Sequence, residues 1–171
     1  MIHDDLLACA RQVIMERQRG RPKQVDIRRA ISACYYAAFH ALTYEASRTL
    51  IGRAHKDRKR RSLLRRAATH TGVRDALSSL FSGKLPKQYT NVVARPPGEL
   101  SVLTLKFASL QDARHVADYD MSRTLSANDA ITALRDADLF VATIRSETLQ
   151  KLPDFKLICA LVFVHERLRS R

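Results

Sequence analysis

The sequence predicts an all-α protein, namely an antiparallel bundle of about four to six helices. Along most of the chain apolar residues recur every three or four positions, which is the spacing of an amphipathic helix. Glycine and proline, which punctuate turn-rich β proteins, contribute only five residues each to the 171. Because a chain of this length can bury one well-packed core but hardly two, we expect a single domain over residues 1–171.

The first two helices are predicted on either side of a short turn. One helix spans about residues 4–19, and Gly20 with Pro22 ends it. A longer helix follows over about residues 23–53. Its apolar stripe consists of Ile27, Ile31, Cys34, Ala38 and Leu42.

A third helix is predicted over about residues 59–81, with Gly72 as a weak point inside it. Its apolar face consists of Leu63, Leu64, Ala67, Val73, Leu77 and Leu80. Residues 83–100 contain two of the five glycines and three of the five prolines, so we expect an internal loop there.

Two further helices and a C-terminal segment complete the predicted bundle. The fourth helix spans about residues 101–119. Ser126 and Asp129 resemble a capping box, which opens a fifth helix that extends to about residue 149. Residues 153–171 are predicted to form a C-terminal helical extension, although the β-branched run LICALVFV is also compatible with a strand.

The second predicted helix carries a polar seam beside its apolar stripe. At steps of three or four, the seam consists of Arg29, Ser32, Tyr36, His40, Thr43 and Ser47. A second polar cluster, in the segment ARHVADYD of the fourth helix, consists of Arg114, His115, Asp118, Tyr119 and Asp120. Polar groups beside a core need partners, so we expect the two clusters to form one site. The alternative is a structural network that fixes the register of two helices.

His40 is the preferred candidate for an acid or base, because imidazole titrates near neutral pH and His40 belongs to the seam. His70 is equally compatible with a capping or packing role. No His or carboxylate pair at i,i+4 has a third ligand in sight, and a basic protein repels cations. We therefore expect no metal and no cofactor.

The chain is strongly basic, with a net charge of +13 and a pI near 10.3. This favours polyanionic partners, nucleic acid or nucleotides foremost. The densest positive region is residues 53–66, called the basic segment below, with eight Lys or Arg against one Asp. Its candidate polyanion-binding residues are Arg53, Lys56, Arg58, Lys59, Arg60, Arg61, Arg65 and Arg66. The alternative is a solvated face that only keeps the protein soluble.

The cysteine and apolar patterns bear on the cellular location. Cys9, Cys34 and Cys159 are too scattered for a disulfide framework or a zinc site, which is typical of reduced thiols. The N-terminus lacks the pattern of a secretory signal, and the longest apolar run, residues 157–164, is too short for a membrane span. We expect a cytoplasmic protein that does not associate with membranes.

Three segments, RRAISACYYAAFHAL, HTGVRDAL and ARHVADYD, resemble the HEPN domain in their order and separation, over about residues 5–150. The resemblance implies an up-and-down helical bundle, often a homodimer, with a cleft lined by polar residues. Many HEPN proteins are metal-independent ribonucleases of defence or toxin-antitoxin systems, in which a catalytic His follows an Arg after four to six residues. Here Tyr119, Asp120 and Met121 occupy those places after Arg114, so the chain departs from the ribonuclease pattern.

Other HEPN domains bind nucleotides or act as partners of small nucleotidyltransferases, and the R..ADYD variant of this chain resembles those. The leading expectation is a nucleotide- or RNA-binding module in which Arg114 contacts phosphate and Tyr36 orients or stacks on a base. In this hypothesis Asp118 and Asp120 hold Arg114 in place. The candidate ligand-binding residues are Arg29, Ser32, Tyr36, Asp118, Tyr119 and Asp120.

Two alternatives stay open. In the first, the protein is a metal-independent ribonuclease whose candidate catalytic residues are Arg114 and His40, with His40 replacing the missing His. In the second, the protein is an interaction or dimerisation module without a ligand.

Overall fold

The structure, a computed structural model, describes residues 1–15, 23–82, 98–152 and 154–169. Within these ranges all regular structure is helical, which confirms the predicted all-α helical bundle. The α-helices are α1 (Ile2–Met15), α2 (Gln24–Ile51), α3 (Arg58–Arg65), α4 (His70–Ser82), α5 (Gly98–Tyr119), α6 (Ala127–Arg145), α7 (Glu147–Gln150) and α8 (Phe155–Arg169). A 3-10 turn, His55–Asp57, precedes α3.

The chain divides into two compact units. Unit 1 comprises Met1–Ala41 and Leu105–Ala142, and unit 2 comprises Leu42–Thr104 and Thr143–Arg171. Three helices, α2, α5 and α6, each contribute residues to both units. The single domain expected from chain length stays a prediction.

Unit 1 is built on an aromatic core. The ring centroids of Tyr35 and Phe107 lie 5.5 Å apart, and those of Phe107 and Phe140 lie 5.8 Å apart. All three side chains are fully buried, together with Ile31 and Cys34 of the predicted apolar stripe. Burying such rings favours the folding of this unit, because it removes large apolar surfaces from water.

Unit 2 is built on the packing of α4 against α8. Val73, Leu77 and Leu80 of α4 are buried, as predicted. The last segment is helical over Phe155–Arg169, which confirms the predicted extension and excludes the strand alternative there. Pro153 and residues 170–171 lie outside the described residues.

The prediction of one continuous third helix over residues 59–81 is wrong. This segment forms two helices, α3 and α4, and the chain turns at residues 66–69 rather than at Gly72. Thr69 starts the new helix, because its hydroxyl accepts a hydrogen bond from the Gly72 backbone N–H at 3.0 Å. As a consequence Leu63 and Ala67, predicted to face the core, are exposed.

Helix boundaries elsewhere follow local capping. Ser126 and Asp129 form the predicted capping box: the Ser126 N–H donates to Asp129 Oδ2 at 2.7 Å, and the Asp129 N–H donates to Ser126 Oγ at 3.2 Å. The fifth predicted helix, however, ends at Arg145, because Ser146 caps a separate short helix by accepting from the Leu149 N–H at 3.2 Å. α2 ends just before Gly52, whose φ of +102° is left-handed.

The predicted loop over residues 83–100 is too long at its end. Residues 98–100 already belong to α5. Residues 83–97 lie outside the described residues, as do residues 16–19 of the first predicted helix.

Candidate functional site

The two predicted polar clusters meet in unit 1, where α2 contacts the C-terminal part of α5. The Ser32 hydroxyl donates to Oδ1 of Asp118, and Nη2 of Arg114 donates to the Tyr36 hydroxyl at 3.1 Å. We call Ser32, Tyr36, Arg114, Asp118 and Tyr119 the Arg114 cluster. The pairing that the sequence predicted from two distant segments is therefore present.

Arg114 is the centre of this cluster. Its Nε lies 2.5 Å from Oδ2 of Asp118, four residues later on the same helix face. Its Nη2 also donates to the Tyr119 hydroxyl at 3.3 Å. The guanidinium carbon lies 5.6 Å from the Tyr36 ring centroid and 5.2 Å from that of Tyr119, so the cation is flanked by aromatic faces.

The electrostatics of the cluster favour the charged guanidinium. Burial works against the charge, but the phenol of Tyr36, the carboxylate of Asp118 and the phenol of Tyr119 together raise the pKa of Arg114 above its ordinary value. The side chain is 19% exposed, and that of Asp118 is 27% exposed. Arg114 is thus a permanently charged group that is fixed in place but still reaches solvent.

Tyr119 gives the cluster its exposed aromatic surface. It is the last residue of α5, and 62% of its surface is accessible. Its ring lies 5.1 Å from that of the exposed His115. By contrast, the half-buried Tyr36 lies against Tyr35 and is better placed to hold Arg114 than to stack on a base.

Asp120 has a role different from the expected one. Its carboxylate accepts hydrogen bonds from the Ser122 hydroxyl at 2.6 Å and from the Ser122 N–H at 3.1 Å, rather than holding Arg114. The Ser122 hydroxyl is the main cause that lowers the pKa of Asp120. Asp120 therefore shapes the turn that follows α5.

His40 lies one turn beyond Tyr36 on α2. The two rings are stacked with centroids 6.4 Å apart, and His40 is half-buried. Tyr36 thus contacts both Arg114 and His40. Thr43 and Ser47, the last members of the seam, belong to unit 2 and are buried there.

Sequence reasoning chose Arg29 for the seam and missed Arg28. Arg29 is exposed, whereas the Arg28 guanidinium donates to the carbonyls of Val116 and Ala117 near the end of α5. The available signal was spacing, because Arg28 lies four residues before Ser32 while Arg29 lies three before it. Both separations are helical neighbours, so the pattern did not separate the two residues.

The basic segment lies in unit 2. Its exposed cations are Arg53, Lys56, Arg58, Lys59, Arg60 and Arg66. Arg61 is half-buried and donates to the carbonyls of Gly52 and Ala54, at 2.6 and 2.9 Å. Arg65 is also half-buried, 5.6 Å from the Tyr44 ring centroid. The segment therefore has six exposed cations and two half-buried arginines that stabilise the local fold. Among the exposed ones, Arg60 pairs with Asp57 at 3.1 Å and Arg53 donates to Gln150 at 2.9 Å.

A separate cavity of about 260 Å³ lies in unit 1 between α5 and α6. Asp112 and Val116 line it from α5, and Thr132 and Asp136 from α6. Asp136 is already engaged, by Lys106 Nζ at 2.7 Å and by the Ser109 hydroxyl at 3.1 Å. The cavity contains none of the predicted binding residues.

Within the described part of the chain, no group of three or more His, Cys, Asp or Glu side chains is placed to hold a metal ion. Among the same residues, no helix is both long and apolar enough to cross a membrane. Comparison with protein families, with curated proteins and with solved structures finds no match to this chain.

Proposed function

We propose that this protein binds nucleotide or RNA, with Arg114 contacting a phosphate and Tyr119 contacting a base. The observation that carries this proposal is the geometry of Arg114, a charged guanidinium held by Asp118 and two phenols beside an exposed aromatic ring. A guanidinium that is fixed in place and keeps its charge suits the binding of a phosphate. Aromatic side chains stack on bases without regard to sequence.

Asp118 limits how tightly a phosphate is bound. Its carboxylate occupies the Nε side of Arg114 and neutralises part of its charge. A phosphate therefore approaches the Nη side, next to the two phenols. Such a site is expected to recognise an anion weakly on its own and to depend on further contacts from the same ligand.

The net charge of the chain favours a polyanionic ligand in the proposal. The chain has a net charge of +13, and the basic segment has six exposed cations. Cations of this kind bind a phosphate backbone by releasing counterions, which adds affinity but no sequence preference. This property favours RNA over a single free nucleotide as the ligand.

The proposal retains the HEPN resemblance and its implications. On this hypothesis the protein acts as a homodimeric binding module of a defence or toxin-antitoxin system, and a small nucleotidyltransferase is its expected partner. Its proposed location is the cytoplasm.

The test is binding of a fluorescein-labelled 12-nucleotide RNA, followed by anisotropy at one fixed salt concentration. Arg114→Ala is expected to weaken binding about tenfold, because it removes charge-assisted hydrogen bonds to phosphate. Arg135→Ala, which removes the same charge from an exposed position on α6, is the matched control and should change the Kd less than twofold. Equal losses in both variants would show that binding follows net charge alone, and would refute the site. Unlabelled ATP as competitor then separates nucleotide binding from RNA binding.

A metal-independent ribonuclease is the second candidate, because the Tyr36 ring contacts both Arg114 and His40. In this alternative His40 acts as general base and Arg114 stabilises the charge that develops on phosphorus. Labelled RNA incubated with the protein in chelator decides between the two. Fragments from the wild type, but from neither His40→Ala nor Arg114→Ala, support the ribonuclease; intact RNA throughout supports the binding module.

A further inference from the structure

Arg28 of α2 donates hydrogen bonds to the backbone at the C-terminal end of α5. Its Nη1 donates to the carbonyl oxygens of Val116 and Ala117, at 3.2 and 2.8 Å. Its Nη2 donates to the carbonyl oxygens of Asp120 and Arg123, at 3.0 and 2.5 Å. One guanidinium thus holds four backbone carbonyls, two from the last turns of the helix and two from the connection that follows.

These hydrogen bonds compensate for the partial negative charge at the C-terminal end of α5. The final carbonyls of a helix lack intrahelical donors, and the helix dipole makes that end negative. α5 has no basic residue in its own last turn. Arg28 of α2 therefore provides the positive charge at this helix end. Its planar guanidinium can bond to several carbonyls at once, which the compact ammonium group of a lysine does less well.

The hydrogen bonds of Arg28 belong to a series of contacts along one face of α2. Arg28, Ser32 and Tyr36 follow one another at intervals of four residues, so they share this face. Arg28 binds the α5 carbonyls, Ser32 binds Asp118, and Tyr36 binds Arg114.

Gln24 extends the series by one more turn. Its Nε2 donates to the Leu125 carbonyl at 2.5 Å, and its Oε1 accepts from the Leu125 N–H at 3.0 Å. Successive turns of α2 therefore fix the end of α5 and the connection to α6.

We propose that Arg28 is the positioning residue of the Arg114 cluster. Arg28 holds the backbone on both sides of Asp118 and Tyr119, which are the α5 residues that contact Arg114. Fixing this helix end keeps the carboxylate and the phenol where the Arg114 guanidinium needs them. Arg28 itself does not contact the ligand. The part of the proposal that concerns RNA affinity rests on the proposed function, whereas the part that concerns Arg114 does not.

The experiment therefore has two readouts. The first is the ¹⁵N–¹H resonance of Arg114 Nε, assigned by its absence in Arg114→Ala, which reports the ion pair with Asp118 without any ligand. The second is the affinity for the labelled 12-nucleotide RNA. Both are measured in wild type, Arg28→Ala, Arg28→Lys and the control Arg135→Ala, with helix content checked by circular dichroism.

Arg28→Ala is expected to shift or broaden the Arg114 resonance and to weaken RNA binding about tenfold. Arg28→Lys keeps the charge but not the fork, so it should restore the affinity only in part. If Arg28→Ala fails to fold, the Arg114 resonance and the RNA affinity of Arg28→Lys are compared with those of wild type instead.

The proposal is overturned if the Arg114 resonance stays at its wild-type position in the folded Arg28 variants. If the resonance changes but RNA affinity does not, Arg28 does position Arg114, and the part of the proposal that concerns RNA affinity is overturned. Should wild type itself not bind RNA, the proposed function fails, and the resonance alone still shows whether Arg28 positions Arg114.

Discussion

The Nε of Arg114 lies 2.5 Å from Oδ2 of Asp118, one helical turn further along α5. Ser32 of α2 donates to the other oxygen of the same carboxyl group. Asp118 therefore joins an ion pair within one helix to a hydrogen bond between two helices.

Arg114→Ala is expected to lower the free energy of unfolding by about 1–3 kcal/mol, because Asp118 loses its counterion in a partly buried place. Urea unfolding at neutral pH measures the loss, and Arg135→Ala should stay within about 0.5 kcal/mol of wild type. Equal stability of wild type and Arg114→Ala would show that the ion pair contributes nothing to the fold.

Asp129→Ala is expected to cost about 1 kcal/mol at pH 6, because it removes one half of the capping box that opens α6. The Ser126 backbone N–H, followed by its hydroxyl, lowers the pKa of Asp129 below its ordinary 3.8. A lowered folded-state pKa gives stability that is present above 3.8 and is lost as the pH falls through the folded value.

The measurement is urea unfolding of wild type and Asp129→Ala between pH 6 and pH 3. The difference between them should stay constant above the ordinary pKa and shrink below it. Asn128→Ala, at the exposed neighbouring position, is the control and should show no such trend. A gap that persists unchanged at the lowest pH contradicts the assignment.

Gly72→Ala is expected to destabilise unit 2 by about 1 kcal/mol, although alanine normally favours a helix over glycine by a similar amount. A Cβ at this position would lie 2.7 Å from the Thr69 hydroxyl oxygen and 3.3 Å from Glu166 Oε2. That hydroxyl is already fixed, since it caps α4 and donates to Glu166 at 2.6 Å.

Gly98→Ala is the matched control for Gly72→Ala. Among the described residues, a Cβ at Gly98 meets nothing within 4 Å, so the substitution should be neutral or stabilising by up to about 1 kcal/mol. Thermal unfolding of both variants checks the contrast. A gain in stability for Gly72→Ala would show that Thr69 moves aside at little cost.

Thiol labelling should distinguish Cys9 from the other two cysteines. Cys9 is exposed, whereas burial raises the pKa of Cys34 and of Cys159 to about 12. At pH 8 the thiolate fraction of a buried thiol of this pKa is on the order of 10⁻⁴. A disulfide reagent should therefore modify one thiol quickly in the native protein and all three after denaturation.

Cys9→Ser is the check on the labelling experiment, because it should abolish the fast reaction. A fast reaction that survives in this variant would mean that the core of either unit opens readily. The rate in native buffer, followed by absorbance, provides the readout.

Salt dependence tests the basic segment. Each Lys or Arg that neutralises a phosphate of single-stranded RNA contributes about 0.7 to the slope of log K against log salt. The exposed triple variant Lys56→Ala, Lys59→Ala, Arg66→Ala should therefore reduce the slope by about 2. Arg135→Ala should leave it unchanged. An unaltered slope in the triple variant would assign the basic segment to solubility alone.

Several features of the fold were predictable because they are local. The apolar stripe at Ile31, Cys34 and Ala38 faces a core, and Ser126 pairs with Asp129 in a capping box, as the sequence indicates. Periodicity and capping depend on neighbours within one or two turns, so they can be seen in the sequence alone. The meeting of Tyr36 with Arg114 was predictable for a related reason, since polar groups beside a core require a partner.

The sequence by itself determined the helical class, most helix positions, most of the buried stripes and the two polar clusters that meet. Only the tertiary structure decided that Arg28 rather than Arg29 donates hydrogen bonds to the end of α5, and that Asp120 shapes a turn rather than holding Arg114. Neighbouring residues on a helix point about 100° apart, so the rotation of α2 against α5 selects one arginine and leaves the other in solvent. That rotation results from packing the aromatic core as a whole, and no local pattern in the chain encodes it.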